Sequence, residues 1–303
     1  VTGAIIAAGF FTSGPVHIAL AVGALVALIS APLGVVTVIR GQSFAGHALG
    51  DIGTTGGSGA FLIGVGPLWG FLVINVAAAT LMELVGIQRR RGRDLATGIV
   101  LGASLGLAAL FLYLDTTVHD TTGAATTILF GSLFTVQGST VPLIASLSAV
   151  VVALLLVVAR PLLLSSASPE LAAARGVPVS VMGYVYLLAL SVSVAMCALT
   201  IGSILSTALL IGPAAAALRI VRRPLAAMAT AAGLGILATW IGILLAYDSY
   251  DWPPQHVGGW PVSFFVVALV FVIYLACDVA SGRSRRRRSV PVAPSSPPAG
   301  LGG

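Results

Sequence analysis

Lysine is absent from this chain of 303 residues, and all 15 of its basic residues are arginine. A P-loop needs its lysine to reach the terminal phosphates of a nucleotide. The chain therefore carries no ATP site of that kind. Charge of either sign is scarce, at 8% of residues, where soluble domains hold about 25%. The formal charge of +6 does not point to nucleic acid, because the arginines lie beside apolar runs and no basic face with interleaved aromatics accompanies them. Cysteine is limited to Cys197 and Cys277, both within apolar runs. They read as packing residues and supply no disulfide framework. The chain opens on valine without a charged segment, so no standard signal peptide is expected.

What is present is overwhelmingly apolar. Hydrophobic residues make up 58% of the chain, and the mean hydropathy is +1.07. That is the composition of an integral membrane protein. A bilayer core of roughly 30 Å takes about 20 apolar residues per helix. The expectation is an all-α integral membrane bundle of about nine transmembrane helices, over 17–39, 44–66, 68–87, 95–114, 141–163, 179–199, 203–220, 225–247 and 262–279. Barrel strands would alternate apolar and polar residues, and these runs do not. Residues 1–15 form a short apolar segment, 16–280 the membrane domain, and 281–303 a basic and then Pro/Ser/Gly-rich tail expected to be disordered.

The arginines orient the bundle. They follow the first expected span (Arg40), the third (Arg89, Arg90, Arg91, Arg93), the fifth (Arg160, Arg175), the seventh (Arg219, Arg222, Arg223) and the ninth (Arg283 and Arg285 to Arg288). The opposite connections hold Asp115, Asp120, Asp248 and Asp251 and no arginine. Positive residues stay cytoplasmic, which puts the N-terminus outside and the C-terminus in the cytoplasm. The cytoplasmic connection LSSASPELAAARGVP begins a short helix with Ser168 as N-cap, Pro169 in the first helical position and Glu170 complementing the helix start. Gly176 and Pro178 end it. Composition leaves two readings, an ordinary connector or a docking element for a cytoplasmic partner.

Four stretches, in order, resemble a known family. They are RGQSFAGHALGD, RRRGRDLATGIVLG, SPELAAARGVPV and GSILSTALLIGPAAAALRI. The chain resembles the membrane permease subunit of ABC-type manganese/zinc/iron importers, from about Val16 to Val279. The resemblance implies a multi-pass protein of the bacterial inner membrane. It implies two permease copies, two cytoplasmic ATPase subunits that bind the ATP, and an extracytoplasmic metal-binding protein that delivers a divalent ion. It also implies that the permease is not itself an enzyme and keeps no permanent cofactor. Pro169, Glu170, Leu171, Ala172, Arg175 and Gly176 would then form the helix that docks in the ATPase.

His47 and Asp51 are the candidate contacts for the transported ion. Residues four apart share one helix face, and imidazole with carboxylate suits Zn²⁺ and Mn²⁺. The family's order is aspartate first, and here it is inverted. From spacing alone, the pair is either a metal contact or a hydrated pair that stabilises its helix. The following GTTGGSG, residues 53–59, offers two readings: close helix packing, or an unwound segment lining a cavity. Weaker candidates are Glu83, near the inner end of the third span, and Asp115, His119 and Asp120, spaced i, i+4, i+5 in an outer connection expected to be solvated. His17, His256 and Asp278 read as interfacial or loop residues, with Trp252 and Trp260 as interfacial anchors. The rival readings are a stand-alone secondary transporter, which would need intramembrane carboxylates, and a membrane scaffold without transport.

Overall fold

The computed structural model describes residues 10–84, 93–118, 123–131, 133–251 and 259–288. Those residues form eleven α-helices and four short 3-10 helices. In chain order they are α1 (Gly14–Ile39), α2 (Ser43–Leu62), α3 (Pro67–Leu84), α4 (Arg93–Val118), α5 (Ala124–Phe130), α6 (Val141–Ala167), α7 (Pro169–Ala174), α8 (Val179–Ile201), α9 (Ser206–Ile220), α10 (Pro224–Asp248) and α11 (Val262–Arg288). Among the described residues, six helices are long and apolar enough to cross a membrane, and Pro67–Glu83 and Ser206–Ile220 are shorter apolar helices. α2 falls in neither group, because glycine, threonine and Asp51 dilute its apolar residues.

Prolines mark where helices begin. α1, α6, α7 and α10 each carry proline in the first or second position, where the missing N–H would have no partner in any case. Proline also lies inside α1, α6 and α9, at Pro32, Pro161 and Pro213. The helices continue through these residues because neighbouring helices hold them.

α1 and α8 form the centre of the bundle and are buried along most of their length, whereas α4, α6 and α11 lie at its periphery. α1 packs on α10, α9 and α6, and α2 packs on α3 and α4. The shared core runs from Val16 and Val26 on α1 to Leu190 and Met196 on α8 and Leu209 on α9. Large apolar side chains on α4 and α6, such as Leu110, Leu156 and Val157, point away from the core. An all-apolar exterior is what lipid requires, since lipid offers backbone groups no partner and helices satisfy their own.

The glycine-rich stretch is part of one unbroken helix, and the unwound alternative does not hold. Its glycines let α2 lie against α3 without side chains between them. A Cβ on Gly56 would run into the Gly70 carbonyl, and one on Gly70 would run into the Gly56 carbonyl. Close approach through small residues is the ordinary way helices pack in lipid, where no hydrophobic effect drives them together.

Several boundaries differ from expectation. α2 ends at Leu62 rather than residue 66, and α4 extends through Val118 rather than 114. α9 starts at Ser206, because Gly202 takes a left-handed φ of 90° that interrupts the helix after α8. The connection between the fourth and fifth expected spans contributes to the bundle core. Ile128 and Leu133 are buried, and the Ser203 N–H donates to the Ile128 carbonyl at 3.1 Å. There Gly131, at φ 78°, and Gly202 meet backbone to backbone. α11 continues as a helix to Arg288. Residues 1–9 and 289–303 of the expected terminal segments lie outside the described residues.

Candidate metal-transfer site

α1 turns into α2 through Arg40, Gly41 and Gln42, and α2 then presents His47 and Asp51 one turn apart. His47 Nε2 lies 3.4 Å from Asp51 Oδ2. Two ligands held about 2.1 Å from one ion at a near-tetrahedral angle stand roughly 3.4 Å apart. The pair stands at the spacing that two ligands of a tetrahedral Zn²⁺ would have, which is also that of a direct imidazole–carboxylate ion pair. The His47 side chain is 45% exposed and that of Asp51 14%, so the imidazole is the accessible member of the pair and the carboxylate the sheltered one.

α9 steadies the imidazole. His47 Nδ1 lies 3.1 Å from Thr207 Oγ1, and a partner on the second ring nitrogen fixes which nitrogen is offered to a metal. α2 can come this close to α9 because Gly46 and Gly50 face it. A Cβ on Gly46 would lie 2.9 Å from Leu210 Cδ2, and one on Gly50 2.8 Å from Ser206 Oγ. Thr54 and Ser58 follow Asp51 on the same face of α2. Their hydroxyls donate back to the Gly50 and Thr54 carbonyls at 3.2 and 2.7 Å. Among the described residues no group of three or more His, Cys, Asp and Glu gathers.

The other candidates are placed elsewhere. Glu83 stands beside Gly183, where an added Cβ would be 3.7 Å from Glu83 Oε2 and 3.9 Å from Arg40 Nη1. Asp115 is not in a solvated connection. It belongs to the last turns of α4 and is only 2% exposed. His119 and Asp120, with His256 and Trp252, lie outside the described residues. His17 Nε2 lies 2.7 Å from the Phe11 carbonyl, and Asp278 Oδ1 pairs with Arg219 Nη1 at 3.3 Å.

The short helix α7 forms as its caps predict. The Ser168 side chain accepts from the Leu171 N–H at 3.4 Å, and Gly176 ends the helix at φ 77°. Only Ala172 is buried, while Pro169, Glu170, Leu171, Arg175 and Gly176 are exposed. Ala172 anchors the helix to the bundle, and Leu171 is left as an exposed apolar side chain.

Sequence reasoning missed Thr207, 160 positions from His47. It also missed the contacts of Arg40, whose partners lie on α6 and α8. No spacing rule reaches across such separations.

The ABC 3 transport family model matches residues 15–278. The chain is 29% identical over 232 residues to the manganese transport system membrane protein MntC of Halalkalibacterium halodurans, covering 76% of this chain and 78% of that protein. It is 26% identical over 237 residues to the high-affinity zinc uptake system membrane protein ZnuB of Haemophilus influenzae, covering 78% and 90%. Among solved structures, PsaBC from Streptococcus pneumoniae in complex with Fab has the same fold, with a TM-score of 0.76 at 22% identity over 89% of this chain and 92% of that one.

Proposed function

This chain belongs to the ABC 3 transport family, and from that premise we propose that it is the membrane permease of an ATP-driven importer of a divalent transition metal, manganese or zinc foremost. ATP is hydrolysed on separate cytoplasmic subunits, since this chain has no lysine for a P-loop. The permease contributes a path and a change of shape rather than covalent chemistry. The α7 of each permease copy rests in one ATPase subunit through Leu171 and its exposed neighbours. The six long helices together with α2, α3 and α9 span the bilayer nine times. The arginine-bearing end faces the cytoplasm, as the one-sided distribution of arginine requires.

The observation that carries this reading is the His47–Asp51 pair. It stands 3.4 Å apart, accessible at His47 and steadied by Thr207. A second copy of the chain brings its own pair to the shared path, and an extracytoplasmic metal-binding protein loads the ion from the opposite face. An ionisable pair within a span otherwise costs free energy without return.

The test is ATP-dependent uptake of Mn²⁺, Zn²⁺ and Fe²⁺ by the permease reconstituted with its ATPase and binding protein. Metal-selective uptake that is lost in His47→Ala and Asp51→Ala, with assembly intact, supports the proposal. Wild-type vesicles that hydrolyse ATP and accumulate none of the three ions refute it.

A further inference from the structure

We propose that Arg40 is the positioning residue that couples movement of the α7 docking helix to the His47–Asp51 pair, by tying the α1–α2 turn to the last turn of α6.

The geometry reads outward from the guanidinium. Arg40 Nε donates to Ser166 Oγ at 2.8 Å, and Nη2 donates to Ser165 Oγ at 3.2 Å. Both hydroxyls in turn donate to the Leu162 carbonyl. α6 ends at Ala167, and a single residue, Ser168, separates it from α7. A displacement of α7 therefore reaches Ser165 and Ser166 within one helical turn. On its other side Arg40 stands over the Tyr186 ring, 4.7 Å from its centroid. Tyr186 is fully buried on α8 and donates to Thr37 Oγ1 at 2.9 Å, and Thr37 donates to the Leu33 carbonyl at 2.8 Å. Glu83 at the end of α3 completes the surround beside Gly183. Burial works against the charge of Arg40, and Tyr186 and Glu83 work for it.

One side chain thus joins the turn after α1 to α6 and α8 at the end of the bundle that carries α7, with Glu83 of α3 nearby. It sits in the three-residue turn that sets where α2 begins, and α2 carries the metal pair. Arginine suits the position because its planar fork donates in two directions while its face stacks on a ring. A lysine ammonium cannot do both. Helices in lipid move as rigid bodies, so a tie between turns is where a push on one becomes a shift of the other.

The inference rests on the importer reading, and its test separates the two. The complete transporter is reconstituted in vesicles, and Mn²⁺ uptake and ATP hydrolysis are measured together. In Arg40→Gln, uptake per ATP falls roughly tenfold, as expected for the loss of charge-assisted bonds, while hydrolysis stays within about twofold of wild type. Arg40→Lys recovers part of that ratio, because charge returns without the fork. Ser165→Ala/Ser166→Ala removes only the hydroxyls from a helix that tolerates alanine. It lowers the ratio in the same direction, and it decides the matter if Arg40→Gln does not assemble. A wild-type ratio in the serine variant, or uptake and hydrolysis falling in proportion in Arg40→Gln, overturns the coupling role and leaves the importer reading intact. Failure of the wild type to take up metal while hydrolysing ATP overturns both.

Discussion

His47 and Asp51 meet at 3.4 Å because one helical turn separates them, and the inverted order of imidazole and carboxylate does not alter that distance. A swapped pair, His47→Asp with Asp51→His, is therefore expected to retain ATP-dependent Mn²⁺ uptake, while either alanine variant drops to background. Uptake assays in reconstituted vesicles distinguish these outcomes, and a swap as inactive as the alanines would show that order matters. Thr207 offers a finer probe of the proposed contact, since it touches His47 Nδ1 and leaves Nε2 facing Asp51. Thr207→Val keeps the shape and removes the hydroxyl. Loss of such an orienting partner costs roughly 10–100-fold in metal affinity, so the apparent KM for Mn²⁺ rises by about tenfold while the maximal rate is kept. An unchanged KM would remove Thr207 from the site.

Two helices bear the contrast between packing and docking. α2 approaches α3 so closely that a methyl group at Gly56 has no room. Gly56→Ala is expected to cost about 1–3 kcal/mol and to lower the unfolding temperature of the purified protein in detergent. Gly233 on α10 supplies the comparison, because nothing lies within 4 Å of a Cβ placed there. Gly233→Ala is expected to be neutral or stabilising by up to about 1 kcal/mol. Equal losses at the two positions would mean that close approach is not what Gly56 provides. α7 has the opposite character, with Leu171 47% exposed and only Ala172 buried. Leu171→Arg is expected to abolish co-purification of the ATPase while the permease still elutes as a folded species. Retained ATPase would place docking on another surface.

Taken whole, the orientation of the bundle is the open question that the arginine distribution along the sequence answers one way. If the arginine end is cytoplasmic, a cysteine at Ala173 in a background lacking Cys197 and Cys277 stays protected from a membrane-impermeant maleimide on intact cells. A cysteine at Thr126 reacts. The reversed labelling would invert the orientation. The long apolar helices were legible in composition because a helix in lipid must be apolar along its length, and α1 and α8 follow their hydrophobic runs. α7 was legible because its cap residues act on their own neighbours. The burial of Ile128 and Leu133 was not legible. They lie in a connection too short to be a span, and α2 and α1 cover them together with the α8–α9 turn around Gly202, some seventy positions away. Asp115 was misjudged for a related reason. A helix that continues to Val118 carries Asp115 into shelter, whereas the local sequence reads as the start of a loop.

Composition and the order of residues alone determined that this is a multi-span membrane protein without a P-loop, with a capped helix at its arginine end and a His–Asp pair on one helix face. Each of those follows from interactions no longer than a helical turn, or from the demand of lipid on every segment it touches. Only the tertiary structure decided that residues 53–59 pack rather than unwind, that Thr207 steadies His47, and that Arg40 gathers α6 and α8 around the turn before α2. These depend on which helices lie side by side. In lipid that is decided by the fit of glycine against backbone and by the few polar groups that find each other across the bundle, a choice made between segments far apart in the chain.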